Sequence, residues 1–308
     1  MKKISVVIPT YNEEINIPLI YKRINDIFEK LSYNHEILFI DNGSTDGSRK
    51  TIKEICMHDK KVKAIFNVRN FGFTRSVYHG LISSEGDCTV LLFADMQDPP
   101  ELLVDFVKCW EQGYKIVVGI KNRSQESRFM YFIRKCYYKI IKKISDIDHI
   151  EQFTGFGLYD KSFMKILKEL HDPMPYLRGI VAEMGYKRID VTYEQKRREF
   201  GKSSFNFFRL YDVAMLGITS YSKIVMRIAT LLGSFLSLLS LIIAVITLVL
   251  KLLFWSYFPL GIAAIIIGVF FLGSVQLFFI GLVGEYVLSI NIRGMNRPLV
   301  VEECRINF

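Results

Sequence analysis

The stretch "VLLFADMQDPPE", residues 90–101, indicates the fold class because a buried strand stops in it at a group of oxygen-bearing side chains. The apolar run ends at Ala94, and Asp95, Gln97 and Asp98 follow before two prolines. If extended geometry continues, Asp95 and Gln97 point the same way. A carboxylate and an amide oxygen are hard ligands that suit Mg²⁺ or Mn²⁺ bridging substrate phosphates. The stretch therefore predicts a metal site at Asp95 and Gln97.

Short β-rich runs alternate with helical patterns on both sides of this stretch. The predicted strands are residues 4–9, 36–41, 62–67, 88–94 and 115–120, and the predicted helices between them are 15–30, 46–57, 74–83 and 100–111. This alternation is typical of a mainly parallel sheet with helices on both faces. Ligands of such sheets bind beyond the carboxyl ends of the strands. We therefore expect "PTYNEE", "DNGSTDG" and "ADMQDPP" to line one crevice.

The second half of the chain contains two long uncharged runs, residues 228–250 and 252–284, separated by Lys251. About 20 apolar residues cross a bilayer core as a helix. The runs predict a transmembrane hairpin with spans at 228–250 and 260–284; two buried helices of a soluble core are the alternative. The flanking cations predict that both termini are cytoplasmic. These cations are Lys223, Arg227, Arg293, Arg297 and Arg305.

Composition narrows the choice of function. The net charge of +9 suits contact with anionic lipid or phosphates and does not single out nucleic acid. The five cysteines are scattered, without CxxC or zinc spacing, as expected for a reduced cytosolic domain. The N-terminal apolar run is too short for a signal peptide. Neither a GxGxxG fingerprint after a strand nor a P-loop is present, which argues against a dehydrogenase or a kinase.

Two further segments have an interfacial pattern. Residues 128–144 alternate apolar and basic side chains at helical spacing, and residues 205–223 carry aromatic side chains just before the first span. Both could instead be core helices with a solvated basic face.

Several site candidates also have a simpler structural interpretation. Asp98 precedes Pro99 and would cap a helix that begins with proline. Asp41 and Asn42 could be turn formers.

The motifs taken in order are more specific than any one of them. The chain contains "SVVIPTYNEEINI", "DNGSTDG", "RNFGFTRSVYHG", "ADMQDPPEL", "NRSQESRF" and "REFGKSSFNF", followed by two predicted spans and "RPLVVEE". This set resembles the polyprenyl-phosphate glycosyltransferases of glycosyltransferase family 2 over essentially the whole chain. It is most similar to the bactoprenol-type members with two C-terminal spans, and it is related to dolichol-phosphate mannose synthases.

The resemblance implies a GT-A fold and a role for each matching residue. Three residues match the first-strand motif that lines the nucleotide: Pro9, Tyr11 and Glu13. Asp41 and Asn42 match the pair near the base, and Asp95 and Gln97 match the metal-binding pair. Arg123 and Arg128 fall before the acceptor-side helix. The segment that closes over phosphates is matched by Arg197, Arg198, Lys202 and Ser203, unless these residues are only a solvated charge run.

The chain departs from the family pattern at four positions. Phe93 stands where the family usually has the first acid of its metal motif, so metal binding depends on fewer charges. Asn42 replaces a second aspartate, and Gly155 replaces an aspartate that has been proposed as a base. Glu183 is an acid at a position expected to be apolar or aromatic. The candidate catalytic residues are Asp95, Asp98, Glu183 and Arg197.

The missing aspartate at 155 agrees with one class of acceptor. A phosphate monoester has a second pKa of about 6 and is largely a dianion near pH 7, so it needs no base. A sugar hydroxyl would need one. We therefore expect an inverting glycosyltransferase that moves a sugar from a nucleoside diphosphate, expected to be UDP, to undecaprenyl phosphate or a similar lipid. The alternatives are a sugar-to-sugar polysaccharide transferase and a non-catalytic sensor or scaffold that binds sugar nucleotides.

The expected organisation is a GT-A domain at 1–204, a juxtamembrane helix at 205–223, a hairpin at 224–290 and a cytoplasmic tail at 291–308. The expected location is the cytoplasmic (inner) membrane, with the catalytic domain in the cytoplasm. A homo-oligomer is compatible with the resemblance.

Overall fold

A computed structural model describes residues 2–123, 150–195, 262–295 and 297–308, together with scattered positions between 215 and 253. The strands are β1 Lys3–Thr10, β2 Asn34–Asp41, β3 Val62–Asn67, β4 Cys88–Leu91, β5 Ile116–Arg123, β6 Phe153–Asp160, β7 Arg188–Glu194 and β8 Glu302–Ile306. They form one sheet in the order β7-β5-β6-β4-β1-β2-β3-β8. The helices are α1 Asn16–Phe28, α2 Ser48–His58, α3 Phe73–Ser83, α4 Leu102–Glu111, α5 Lys161–Glu169, α6 Leu177–Glu183 and α7 Ile262–Gly294.

The predicted α/β architecture is confirmed, and the predicted helices before residue 112 lie within two residues of α1 to α4. The centre of the sheet is parallel, since β1 pairs with β2 and β4, and β2 pairs with β3. The sheet is mixed at both sides, because β6 is antiparallel between β4 and β5, and β8 is antiparallel at the edge beside β3. Strand β4 ends at Leu91, three residues before the predicted end.

Alternation along the central strands sends side chains to two cores. In β1, Ile4, Val6 and Ile8 face one cluster, which includes apolar side chains of α1. Val7 faces the other cluster, which includes Leu81 of α3. Because both faces are covered, the strands are apolar almost throughout. This packing holds the carboxyl ends of the parallel strands side by side, so the loops that follow them lie at the same edge of the sheet.

Residues 291–308, predicted to be a cytoplasmic tail, contain the end of a helix and a strand of the sheet, and their cytoplasmic location stays a prediction. Residues 291–294 belong to α7, and β8 joins the sheet with Phe66 opposite Cys304 and Ile65 opposite Arg305. The sheet domain predicted at 1–204 therefore also contains residues from the end of the sequence. Such long-range strand addition leaves no periodicity signal that links the two partners.

One described helix is long and apolar enough to cross a membrane, with its candidate span at Val275–Gly294. It lies in α7, whose 33 residues are about 50 Å long. Large apolar side chains on it are exposed, among them Leu277, Phe278 and Ile280. The candidate span begins and ends later than the predicted span at 260–284. The hairpin is not confirmed, because most of the predicted span at 228–250 and the segment 205–223 lie outside the described residues.

Asp160 connects α4, the start of β5 and α5. Replacement of Asp160 by alanine is expected to destabilise the protein by about 2–3 kcal/mol, because α5 loses its N-cap and the buried Trp110 Nε1 loses its acceptor. Its carboxylate accepts hydrogen bonds from Trp110 Nε1 at 2.7 Å and from Ser162 N at 3.0 Å, and pairs with Lys115 Nζ at 3.1 Å. Burial opposes the charged form, but these partners outweigh it and lower the pKa of Asp160 to about 2.

Because the folded-state pKa lies below the unfolded value of about 3.9, this contribution is present above that pH and is lost as the pH falls towards 2. Chemical denaturation of full-length protein in detergent at pH 7 and pH 3 measures it. Asp105, an exposed acid on α4, provides the matched Asp-to-Ala control. Equal stabilities of the two variants would contradict the prediction.

Candidate functional site

The polar motifs follow three neighbouring strands and meet at one edge of the sheet, as predicted. Thr10 at the end of β1 lies opposite Asp41 at the end of β2, and Leu91 at the end of β4 lies opposite Val7 of β1. The parallel register brings the loops at 11–14, 42–47 and 92–98 together.

Hydrogen bonds connect the first two of these loops. Asn12 N donates to Ser44 Oγ at 2.9 Å, and Asn12 Oδ1 accepts from Thr45 N at 2.8 Å. Glu13 N donates to Ser48 Oγ at 2.8 Å, and the Glu13 carboxylate accepts from Asn16 Nδ2 at 2.6 Å. Glu13 is buried and engaged at the start of α1.

Two of the residues predicted to line the nucleotide remain half-buried at this edge, namely Pro9 and Tyr11. They are more accessible than Glu13, which is only 9 % exposed. The structure thus places all three residues at the crevice but leaves the surface of the first two open to it.

Asp41 is buried, with one carboxylate oxygen engaged and the other without a partner in the described part of the chain. Its Oδ2 accepts from Ser44 N at 3.2 Å and lies 3.3 Å from Arg49 Nε, while Oδ1 has no hydrogen bond. Burial raises the pKa of the Asp41 carboxyl, and the Ser44 hydrogen bonds and the Arg49 charge offset part of the rise. A buried acceptor without a partner is costly, and a donor N–H of a ligand would satisfy it.

Asn42 uses its whole amide within the protein. Its Oδ1 accepts from Asn67 Nδ2 at 3.1 Å and Phe71 N at 3.0 Å, and its Nδ2 donates to Asn70 Oδ1 at 3.1 Å and Gly72 O at 3.3 Å. These four bonds exhaust its donors and acceptors. Asn42, which the resemblance places near the base, therefore uses its side chain to position the 67–72 loop beside Asp41.

Asp95 and Gln97 share one side of a turn. Both are partly exposed, whereas Met96 and Asp98 are buried. The strand has already ended at Leu91, so the shared direction comes from a turn in which Met96 has a φ of 58° and Gln97 N donates to Asp95 Oδ1 at 3.2 Å. A left-handed φ is uncommon outside glycine and is often found at functional sites.

The donor set at this turn fits a divalent cation only as a partial site. No group of three or more His, Cys, Asp or Glu side chains suitable for a metal exists among the described residues. One carboxylate and one amide oxygen are nevertheless enough for a Mg²⁺ or Mn²⁺ that takes its remaining ligands from water and substrate phosphates.

The structure corrects the interpretation of Asp98 as a helix cap. The N-cap of α4 is Glu101, without a side-chain cap bond, so Asp98 is not the helix cap. Asp98 is 2 % exposed and its carboxylate accepts a hydrogen bond from the Tyr193 hydroxyl. Burial raises the pKa of Asp98 to about 6, and Lys121 and Tyr193 offset part of that rise. Asp98 thus supports the turn from its buried side, and its predicted catalytic role stays a prediction.

A largely buried apolar cluster adjoins this turn. A Cβ atom built on Gly155 would lie 3.3 Å from Leu91 Cδ2, 3.6 Å from Leu177 Cδ2 and 4.0 Å from Phe93 Cζ. The Phe93 ring in turn lies 5.5 Å from the Phe73 ring. The two departures at Phe93 and Gly155 are therefore neighbours, and the space around position 155 is lined by hydrocarbon.

Glu183 is exposed at the last residue of α6, six residues after Leu177, which places it about 9 Å further along the helix axis. Its catalytic role stays a prediction. Arg123 is the last residue of β5. The remaining predicted residues lie outside the described part: Arg128, Arg197, Arg198, Lys202 and Ser203, with the segment 128–144.

Sequence reasoning missed Arg49 and Tyr193. Arg49 lies in the first turn of α2, where a positive charge opposes the helix dipole. This unfavourable placement of a cation is the feature of the sequence that could have identified Arg49 as a functional residue. Tyr193 lies in β7, and no local pattern connects it with Asp98.

The chain is similar to known glycosyltransferases over most of its length. Residues 5–167 match the model of the family described as Glycosyl transferase family 2. The chain is 31% identical to the uncharacterized glycosyltransferase sll0501 of Synechocystis sp. over 96% of this chain and 93% of that protein. It is 32% identical to the putative glycosyltransferase CsbB of Bacillus subtilis, over 98% and 92% of the two chains. It is also 32% identical to the bactoprenol glucosyl transferase of Shigella phage SfV, over 96% of each chain.

Proposed function

Because the chain belongs to glycosyl transferase family 2 and is a glycosyltransferase, we propose that it transfers a sugar from a nucleoside diphosphate, UDP in the first instance, to a polyprenyl phosphate such as undecaprenyl phosphate. The similarity to a bactoprenol glucosyl transferase over nearly the full length supports a lipid acceptor.

The observation that carries the choice of acceptor is the apolar environment of position 155. The nearest side-chain atoms there belong to Leu91, Leu177 and Phe93, and Asp98 is buried against Tyr193. In the described part of the site, neither position 155 nor Asp98 therefore offers an exposed acid beside the proposed metal ligand Asp95 to deprotonate an incoming hydroxyl. An acceptor that arrives as a phosphate dianion does not require such a base.

The reaction follows as one displacement. An oxygen of the lipid phosphate attacks the anomeric carbon, a new C–O bond forms with inversion, and the bond to the diphosphate breaks. The nucleoside diphosphate leaves with the electron pair, and no proton has to be removed from the acceptor. Asp41 and the loops at 11–14 and 42–47 would hold the nucleoside, so that the diphosphate lies near Asp95.

Asp95 and Gln97 would hold Mg²⁺ or Mn²⁺ together with the diphosphate, and the cation would supply charge neutralisation of the leaving group. Asp98 and Tyr193 would keep the turn in the conformation that presents both ligands. Arg197, Arg198, Lys202 and Ser203 remain proposed phosphate contacts.

Membrane attachment is supported by the exposed apolar surface of α7 and by the position of β8. Arg293 near the end of α7 lies 3.4 Å from Asp172 of the sheet domain, and β8 pairs with β3. The chain therefore returns to the side from which it started. If α7 spans the bilayer, this return to the sheet domain requires a further crossing before α7, which supports the proposed hairpin with both of its ends on the side of the sheet domain.

The proposed acceptor predicts a sharp dependence on the lipid phosphate. Full-length protein in detergent, given labelled nucleotide sugars, is expected to form an acid-labile lipid-linked sugar with undecaprenyl phosphate and none with undecaprenol, which lacks the dianion. The measurement is extraction and chromatography of labelled lipid. Transfer to undecaprenol, no product with any donor, or a product that lengthens with time would each contradict the proposal.

A further inference from the structure

The strand β8 is fixed firmly to the sheet at both of its ends. Val68 N donates to Val301 O at 3.1 Å just before β8 begins. At the other end Asn307, with a φ of 63°, donates from Nδ2 to Cys56 O and to Val62 O, each at 2.7 Å. Asparagine tolerates this left-handed conformation better than most residues. The segment therefore holds a defined register beside β3.

In that register Glu303 reaches the candidate nucleotide site through Arg49. Glu303 Oε2 lies 2.6 Å from Arg49 Nη2, and Arg49 Nε lies 3.3 Å from Asp41 Oδ2. The Arg49 guanidinium also lies over the Phe66 ring, 5.2 Å from its centroid. The guanidinium therefore has one favoured orientation, because it lies between Glu303 and Asp41 and over the Phe66 ring.

Asp41 depends on that orientation. It is 1 % exposed and its Oδ1 has no partner in the described residues. Its Oδ2 therefore relies on the hydrogen bond from Ser44 N and on the charge of Arg49, whose Nε lies 3.3 Å away as an ion pair without a hydrogen bond. Arg49 is partly exposed and would be free to turn towards solvent without Glu303. The neighbouring Glu302 does not share this role, because its carboxylate pairs with His79 and Arg305.

We propose that β8 completes the donor site, and that Glu303 is a positioning residue that acts through Arg49 on Asp41 to favour nucleotide binding. This inference rests on the proposed function, since it assigns the ligand of Asp41 to a nucleoside diphosphate. It means that a strand encoded after the membrane segment is part of the site formed by the first two strands.

The test uses full-length protein in detergent, with UDP as the probe in calorimetry. Glu303→Gln is expected to weaken UDP binding and to raise KM for the donor by about three- to fivefold, the size of one partly exposed ion pair. The change in kcat is expected to be less than about twofold, because Glu303 does not contact the reacting atoms. Glu302→Gln, on the same strand, is the matched control and is expected to bind UDP like the wild type.

A double-mutant cycle distinguishes positioning through Arg49 from a general effect on β8. In an Arg49→Gln background, Glu303→Gln is expected to cause no further loss of UDP affinity. Equal losses in Glu302→Gln and Glu303→Gln, or additive losses in the cycle, would overturn the inference. Unchanged UDP binding by Glu303→Gln would overturn the role of Glu303 and leave the proposed function intact. A wild-type protein that binds no nucleoside diphosphate would overturn both.

Discussion

Asp95→Ala is expected to lower kcat by at least about 10²- to 10³-fold, the usual cost of removing an electrostatic group that stabilises a leaving group. The reason is that Asp95 is the carboxylate of the candidate metal pair, while Phe93 stands where the resemblance leads us to expect a further acid. Gln97 cannot replace the lost charge. Folding should change little, since Asp95 is partly exposed and its hydrogen bond within the described part of the chain comes from Gln97 N, two residues away.

Two measurements separate this loss from unfolding. Calorimetry with Mn²⁺ in the presence of UDP should show loss of metal binding, and thermal unfolding should stay close to that of the wild type. Asp105→Ala, which removes an exposed acid on α4, is the matched control and should retain activity. Retained turnover in Asp95→Ala would refute the assignment of the metal to this turn.

Asp41→Ala is expected to weaken UDP binding by about 10- to 100-fold, because it removes both a ligand acceptor and the inner partner of Arg49. The loss should exceed that of Glu303→Gln, since Asp41 would contact the nucleotide and Glu303 acts through Arg49. Asp41→Asn keeps the shape of the side chain but not its charge, and should lose nearly as much.

The readout for Asp41 is the affinity for UDP together with KM for the donor. Asp26→Ala, an exposed substitution on α1, controls for loss of an acid elsewhere. If Asp41→Ala bound UDP as tightly as Asp26→Ala, the nucleoside would have to lie elsewhere in the crevice.

Much of the site could be predicted because its residues lie in local motifs at strand ends. The segments "PTYNEE", "DNGSTDG" and "ADMQDPP" do follow neighbouring parallel strands, and Asp41 and Asp95 lie at the same sheet edge. Errors arose where a residue had two local explanations. The position of Asp98 before proline suggests a helix cap, yet its carboxylate accepts a hydrogen bond from Tyr193, which is distant in the sequence.

The sequence by itself determined the alternation of strands and helices, the apolar run that becomes α7 and the polar ends of β1, β2 and β4, because each depends on neighbours within one element. The tertiary structure decided the antiparallel insertion of β6, the exhaustion of the Asn42 amide and the juxtaposition of Phe93 with Gly155. It also decided that Arg49 lies within ion-pair distance of both Glu303 and Asp41. These are contacts between residues far apart in the chain, and only the register of the folded sheet brings such residues within bonding distance.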